Sequence, residues 1–204
     1  MNAITAAAAV FGEGAMSGDE HGVGVGRTFT VTMGASPTQT VWDGRRTLTW
    51  ADLAAMLTDH RPGAKEGPCI APAVFAGSSR KKEQAVQIDV AFLDSDSGTP
   101  LSEIRVAVEA HGWEAVISST HSHMATQTRA KRTHWNRFFA ANSGATVADF
   151  LIREKHYVVA VAAGAEPIES GDPEYVLIQH APVPKFRVAL PLARPWVASD
   201  YPSQ

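Results

Sequence analysis

The sequence predicts an α/β (α+β) fold, a sandwich of strands and helices, on three observations. Short apolar runs with strand alternation recur along the chain, helical patterns with recognisable caps stand between them, and clusters of Gly, Pro and Ser punctuate the two. No internal repeat or inter-domain linker breaks this order, so residues 27–204 read as one domain behind a tail at 1–26. The tail is rich in Ala and Gly without an ordered pattern and is expected to be mobile. It lacks a basic leader ahead of an apolar run, so it does not read as a secretory signal.

Taken in order, Arg27–Met33 alternates Phe29, Val31 and Met33 with Thr28, Thr30 and Thr32, the pattern of a strand. Thr49 and Asp52 form a capping-box pattern that opens a helix running to about Leu57, completing an N-terminal αβ unit. Residues 60–80 are Pro- and Gly-rich and read as a surface loop, followed by a strand over Gln84–Leu93. Thr99 and Pro100 suit an N-cap and first helical position, with Leu101, Ile104, Val106 and Val108 as the apolar stripe and Gly112 as the stop. Ala115–Ser119 follows as a strand. Helices are expected from Arg132 to Ala141 and, behind the box Thr146-x-x-Asp149, from Val147 to about His156. Tyr157–Ala162, Tyr175–Gln179 and Lys185–Leu190 complete the strands.

Three polar features sit on this frame. The strand ending Phe-Leu-Asp94-Ser-Asp96-Ser-Gly presents two carboxylates two residues apart, on one face if the strand continues. Their Cα atoms would lie roughly 6.5–7 Å apart, a spacing that suits one or two divalent cations, although a plain Asp/Ser/Gly turn has the same composition. Next, Ser119-Thr-His121-Ser-His123 follows the apolar run Ala115–Ile117. In extended form His121 and His123 share a face with Ser119, a pattern that suits phosphate or metal. Third, Lys185 and Arg187 alternate with Phe186 and Val188, placing two cations on one strand face, either solvated or holding phosphate. A strand–helix–strand arrangement would bring Asp94, Asp96 and His121 to one rim.

The charge distribution adds a fourth. The net charge is −3, which argues against a protein that coats nucleic acid with its whole surface. Yet no Asp or Glu occurs from Ala115 to Ala148, where Arg129, Lys131, Arg132, His134 and Arg137 alternate with Trp135, Phe138 and Phe139. Cations among aromatic rings suit a single-stranded template, while ring spacings of three and four suit a helix burying them as core. The single Cys69 precludes an intrachain disulfide, no stretch approaches the ~20 apolar residues of a membrane span, and 45% hydrophobic content can fill a core. A soluble cytoplasmic protein is expected.

In these motifs and their order, from about Leu48 onward, the chain resembles the archaeo-eukaryotic primase superfamily, in particular the phage- and plasmid-type primase-polymerases. Asp94 and Asp96 match that family's strand-ending Asp-x-Asp, Ser119-Thr120-His121 its Ser-x-His, and Lys185–Pro195 its Lys-Phe-Arg-Val-x-Leu-Pro-Leu-x-Arg-Pro strand. Leu48–Leu53 and the basic run Arg80-Lys81-Lys82 are also similar to that subgroup. The resemblance implies an RRM-like mixed sheet flanked by helices and DNA-templated nucleotidyl transfer in the replication of a phage, plasmid or other mobile element. Asp94 and Asp96 would bind Mg²⁺ or Mn²⁺, and His121 would contact the incoming nucleoside triphosphate with support from Ser119 and His123. Lys185 and Arg187 would bind phosphate. Arg80, Lys81, Lys82, Arg129, Lys131 and Arg132 would meet the single-stranded DNA template, with a replicative helicase as a further partner. Two departures stand out. The stretch at about 124–183 is an insertion relative to compact members, and the chain ends at Gln204 before the third acidic motif, with Asp200 in a turn-like context. A truncated chain with an incomplete metal site is therefore expected. A metal-dependent glycosyltransferase with its own Asp-x-Asp, and a non-catalytic nucleic-acid-binding remnant, are the alternatives.

Overall fold

A run of Thr alternating with Phe29, Val31 and Met33 can bury one face and hydrogen-bond on both edges, and strand β2 (Thr28–Gly34) does so. The computed structural model describes residues 9–11, 26–59 and 67–197, the first three as backbone only. Asp200 lies outside them, as do residues 60–66 of the expected surface loop. In chain order the elements are β1 (Ala9–Phe11), β2, β3 (Gly44–Thr49), α1 (Trp50–Thr58), β4 (Cys69–Ala71), β5 (Ala73–Phe75) and β6 (Ala85–Ser95). They continue with α2 (Leu101–Ala110), β7 (Ala115–Ser119), β8 (Ala125–Lys131), α3 (Arg132–Ala141), α4 (Val147–Lys155), α5 (Val159–Ala162), β9 (Glu166–Ile168), β10 (Tyr175–Val183) and β11 (Phe186–Val197). The expected α+β class holds, with three antiparallel sheets ordered β1-β7-β11-β6-β5, β8-β10-β9 and β3-β2-β4. Among the described residues no helix is long and apolar enough to cross a membrane.

The chain divides into two compact units. The first comprises residues 1–93, 108–118 and 187–204, the second residues 94–107 and 119–186. In the first unit Phe29, Val31, Leu53, Val90 and Val116 form a core closed by Trp50, whose ring meets Phe29 edge-on at 5.7 Å. Asp89 is buried there, accepting hydrogen bonds from the Thr30 backbone N–H at 2.7 Å and the Gln87 amide at 2.5 Å. α1 begins as its caps predict, with the Thr49 hydroxyl accepting from Asp52 N–H at 3.1 Å.

Several sequence expectations need correcting. Residues 9–11 of the expected mobile tail form β1, which pairs with β7 from Ala9↔Ile117 to Phe11↔Ala115. Within the expected loop at 60–80, Cys69–Ala71 pairs with β2 and Ala73–Phe75 with β6, and Pro72, which has no N–H to donate, separates the two pairings. The expected strand–helix–strand arrangement is present as β6, α2 and β7, with the two strands not adjacent. β11 lies between them, and because neighbours are antiparallel β6 and β7 run the same way with one crossover helix, α2. α2 starts at Leu101, with Pro100 O accepting from Ile104 N–H at 3.3 Å. Thr99, the expected cap, instead shares its hydroxyl with Ser97 at 2.8 Å.

The stretch read as an insertion builds most of the second unit. β8 is polar along nearly its whole length, with only Ala130 buried, and it is a strand because β10 supplies its ladder from Tyr175↔Lys131 to Gln179↔Gln127. Phe138, Phe150, Leu151, Val176 and Ile178 form the core of this unit, with Trp135 and Phe139 packed on it. The capping box at Thr146 and Asp149 is present on both sides. Tyr157–Ala162, expected as a strand, enters the short helix α5. Val158 is half-buried, Val159 and Ala160 exposed, Val161 and Ala162 buried, which is a helical and not a two-residue period. β-branched side chains imitated a strand where no partner edge was offered.

Candidate active site

All residues of the two sequence motifs, together with Lys185, fall in the second unit, whereas Arg187 belongs to the first. Asp94 is the penultimate residue of β6 and Asp96 stands one residue past its end, so strand alternation does not fix the two carboxylates on one face. Both are exposed. The acidic turn is held from below by α5. Val158 N–H donates to Ser97 O at 2.9 Å, and Gly98 takes φ +93° with Val161 Cγ2 only 2.7 Å from where a Cβ would stand. Both the dihedral and the contact require glycine. Gly98→Ala should therefore cost about 1–3 kcal/mol in unfolding free energy, checked by urea denaturation, because strain and overpacking act together.

The Ser-x-His stretch is a turn where an extended strand was expected. β7 ends at Ser119, His123 N–H donates to Thr120 O at 3.0 Å, Ala125 N–H to Ser122 O at 3.2 Å, and Met124 takes φ +61°. His121 and His123 are therefore separated in role. His121 is exposed, and its side chain has no hydrogen-bond or ion-pair partner among the described residues. His123 Nδ1 lies 3.0 Å from both Lys185 N and Lys185 O. Lys185 O already accepts from Thr120 N–H at 3.1 Å, so we assign Nδ1 as acceptor from the Lys185 N–H, which puts the imidazole proton on Nε2. With its ring 4.8 Å from that of Phe186, His123 is a clamp on the Lys185 backbone. Among the described residues Thr120 Oγ1 is buried without a hydrogen-bond partner beside this junction.

The clamp directs a cation at the acidic turn. Lys185 Nζ stands 3.8 Å from Asp96 Oδ1 and 5.8 Å from the centre of the Tyr157 ring. The Lys185 side chain is only 16% exposed, against 61% for Asp96. A lysine side chain buried to this extent is stabilised by an anion or an aromatic face near its ammonium, and here it has both.

The other predicted cations are distributed differently. Arg129 pairs with Asp172 at 2.7 Å and lies 4.0 Å from the Tyr175 ring centre, while Arg132 donates to Pro173 O at 2.7 Å and Tyr175 O at 2.9 Å. Both bind their own chain. Lys131 is exposed at the mouth of a cleft of about 420 Å³ lined also by Thr133, Asn136, Glu174 and Tyr175. In the first unit Arg80 stacks on Trp42 at 4.5 Å, Lys81 and Lys82 are exposed, and Arg187 lies 5.5 Å from the Phe92 ring centre. Trp135, Phe138 and Phe139 serve the core around Phe150, at ring separations of 5.0, 5.2 and 6.3 Å.

Mg²⁺ and Mn²⁺ were implied by the resemblance, and the donor set can be tested against them. Among the described residues no three His, Cys, Asp or Glu side chains come together as a metal cage. A Mg²⁺ site can draw as few as one or two carboxylates from the protein, with water and substrate phosphates completing the coordination, and Asp94 and Asp96 are both exposed. The side chains missed by sequence reasoning are those beneath Lys185, namely Tyr157, Thr128 and His180. His180 opens the very segment that carries Lys185, but nothing in its spacing points to residues 23 and 52 positions upstream. No family model, curated protein or solved structure matches this chain.

Proposed function

We propose that this chain carries out DNA-templated nucleotidyl transfer, as a primase-polymerase of a phage, plasmid or other mobile element. The observation that carries the reading is the largely buried Lys185 side chain, whose ammonium stands 3.8 Å from Asp96, in the unit that also bears Asp94, Ser119 and His121. An exposed carboxylate pair with an anchored cation beside it suits a metal-bound polyphosphate, whose oxygens need positive charge from two directions.

In this reading Asp94 and Asp96 hold Mg²⁺ or Mn²⁺. The bound ion would supply charge neutralisation at the transferring phosphoryl group and acidify the attacking 3′-hydroxyl. Lys185 meets phosphate oxygens as a point charge already oriented by its backbone clamp, so little reorganisation accompanies binding. His121 is free to donate a hydrogen bond to the triphosphate, with the Ser119 hydroxyl beside it in sequence. His123 acts at one remove, by fixing the Lys185 backbone. Single-stranded DNA is the proposed template, and nucleoside triphosphates are the proposed substrates.

The template part is tested by salt. Binding of single-stranded DNA should weaken as salt rises, with a log–log slope of about −0.7 for each phosphate neutralised. Lys185→Ala and Arg187→Ala should each flatten the slope by about that unit, equally for different DNA sequences, if each touches a phosphate. A slope unchanged in both variants would restrict these cations to the nucleotide or the fold.

A further inference from the structure

A chain of three side chains underlies Lys185, and for a neutral His180 the hydrogen-bond partners assign every proton in it. His180, 5% exposed, places Nδ1 2.7 Å from Ala181 O, a pure acceptor, so Nδ1 carries a proton. In the neutral ring Nε2 must then accept, and its partner at 2.9 Å is Thr128 Oγ1. With its own proton given to His180, Thr128 Oγ1 can only accept from the Tyr157 hydroxyl, also at 2.9 Å. The result is one directed chain, Tyr157 to Thr128 to His180 to the Ala181 carbonyl. It joins two strands and a connecting segment, since Thr128 lies on β8, Tyr157 between α4 and α5, and His180 on β10. Tyr157 is 8% exposed, and its ring is the aromatic face 5.8 Å from the Lys185 ammonium.

We propose that the buried Tyr157–Thr128–His180 chain is a positioning network for Lys185, setting the ring on which its ammonium rests and so holding that ammonium at Asp96, where a phosphate group would be taken. Only the last clause rests on the nucleotidyl-transfer reading. The network itself follows from the distances. A polar chain with every donor matched to one acceptor leaves no alternative arrangement of equal satisfaction, so it fixes the Tyr157 ring more narrowly than apolar packing would. The same residues could merely satisfy one another in the core, and the test must separate that role from positioning.

Competitive acetylation of the whole chain by trace acetic anhydride, read by peptide mass spectrometry, makes the distinction. Lys185 should label more slowly than the exposed Lys81 and Lys82, which serve as references in the same molecule. Thr128→Val keeps the shape but removes both hydrogen bonds. It should raise Lys185 labelling relative to the references by roughly fivefold, the scale of losing the one of these two bonds that holds the Tyr157 ring, in a protein that still melts cooperatively. Thr128→Ser should restore the slow rate, and Tyr157→Phe, which keeps the ring but frees it, should behave as Thr128→Val does. An unchanged Lys185 rate in folded Thr128→Val and Tyr157→Phe overturns the proposal, as does a wild-type Lys185 that labels as fast as Lys81. Adding Mg²⁺ and inorganic tripolyphosphate separates the two claims. Protection of Lys185 supports its place in a phosphate site, whereas a labelling change on Thr128→Val without such protection upholds the positioning network and removes the nucleotide from it.

Discussion

Replacing Asp94 and Asp96 together by Asn should lower template-directed nucleotide incorporation by about three orders of magnitude, the scale set by losing several kcal/mol of metal-borne charge stabilisation. The fold should scarcely notice. Both carboxylates are exposed, and the Asp96–Lys185 pair, with Asp96 61% exposed, is worth at most about 1 kcal/mol to stability. The measurement is incorporation of labelled nucleotide on single-stranded DNA with Mn²⁺, beside a thermal melt of each protein. Incorporation that survives the double replacement would remove the pair from the reaction. Sugar transfer from a nucleotide-sugar, abolished by the same replacement, would move the site to glycosyl transfer. Binding of single-stranded DNA without incorporation would leave a nucleic-acid-binding module.

The largest effect on stability is expected at Phe150. Its side chain is fully buried, and His134, Trp135, Phe138 and Phe139 all place their rings between 5.0 and 6.3 Å from it. Phe150→Ala would empty the centre of that cluster at a cost of about 3–5 kcal/mol, lost transfer energy and residual cavity together. Urea denaturation followed by circular dichroism reads the change. Trp135→Ala should also lower stability while leaving the affinity for single-stranded DNA near wild type at a temperature where both proteins are folded. A variant that kept its stability but lost DNA affinity would instead make Trp135 a stacking platform.

What could be read from the residues alone divides along physical lines. α3 and α4 were legible because their signals are local. The ring spacings at Trp135, Phe138 and Phe139 give the period, and the Thr146/Asp149 box gives the start. β6, β7 and β10 were legible because apolar runs of strand length buried in a sheet have few other uses. β8 was not, since Ala-Thr-Gln-Thr-Arg-Ala-Lys has no apolar pattern and becomes a strand only against β10. α5 was misread because Val158, Val159 and Val161 favour a strand by propensity, whereas the burial of residues 158–162 follows a helical period. Within the site, spacing pointed to Asp94, Asp96 and Lys185, but it could not show that His123 clamps a backbone 62 residues away. Nor could it show that Tyr157 carries the cation. The clamp depends on a turn that breaks the two-residue period at Thr120.

Mn²⁺ binding followed by electron paramagnetic resonance, with and without a nucleoside triphosphate, tests the central claim most directly. In the wild-type chain the triphosphate should tighten Mn²⁺ binding by about tenfold or more, because phosphate oxygens complete a coordination sphere that two carboxylates leave open. The Asp94→Asn, Asp96→Asn protein should bind Mn²⁺ no better than the triphosphate alone does in solution. Identical titrations for the two proteins would contradict the account.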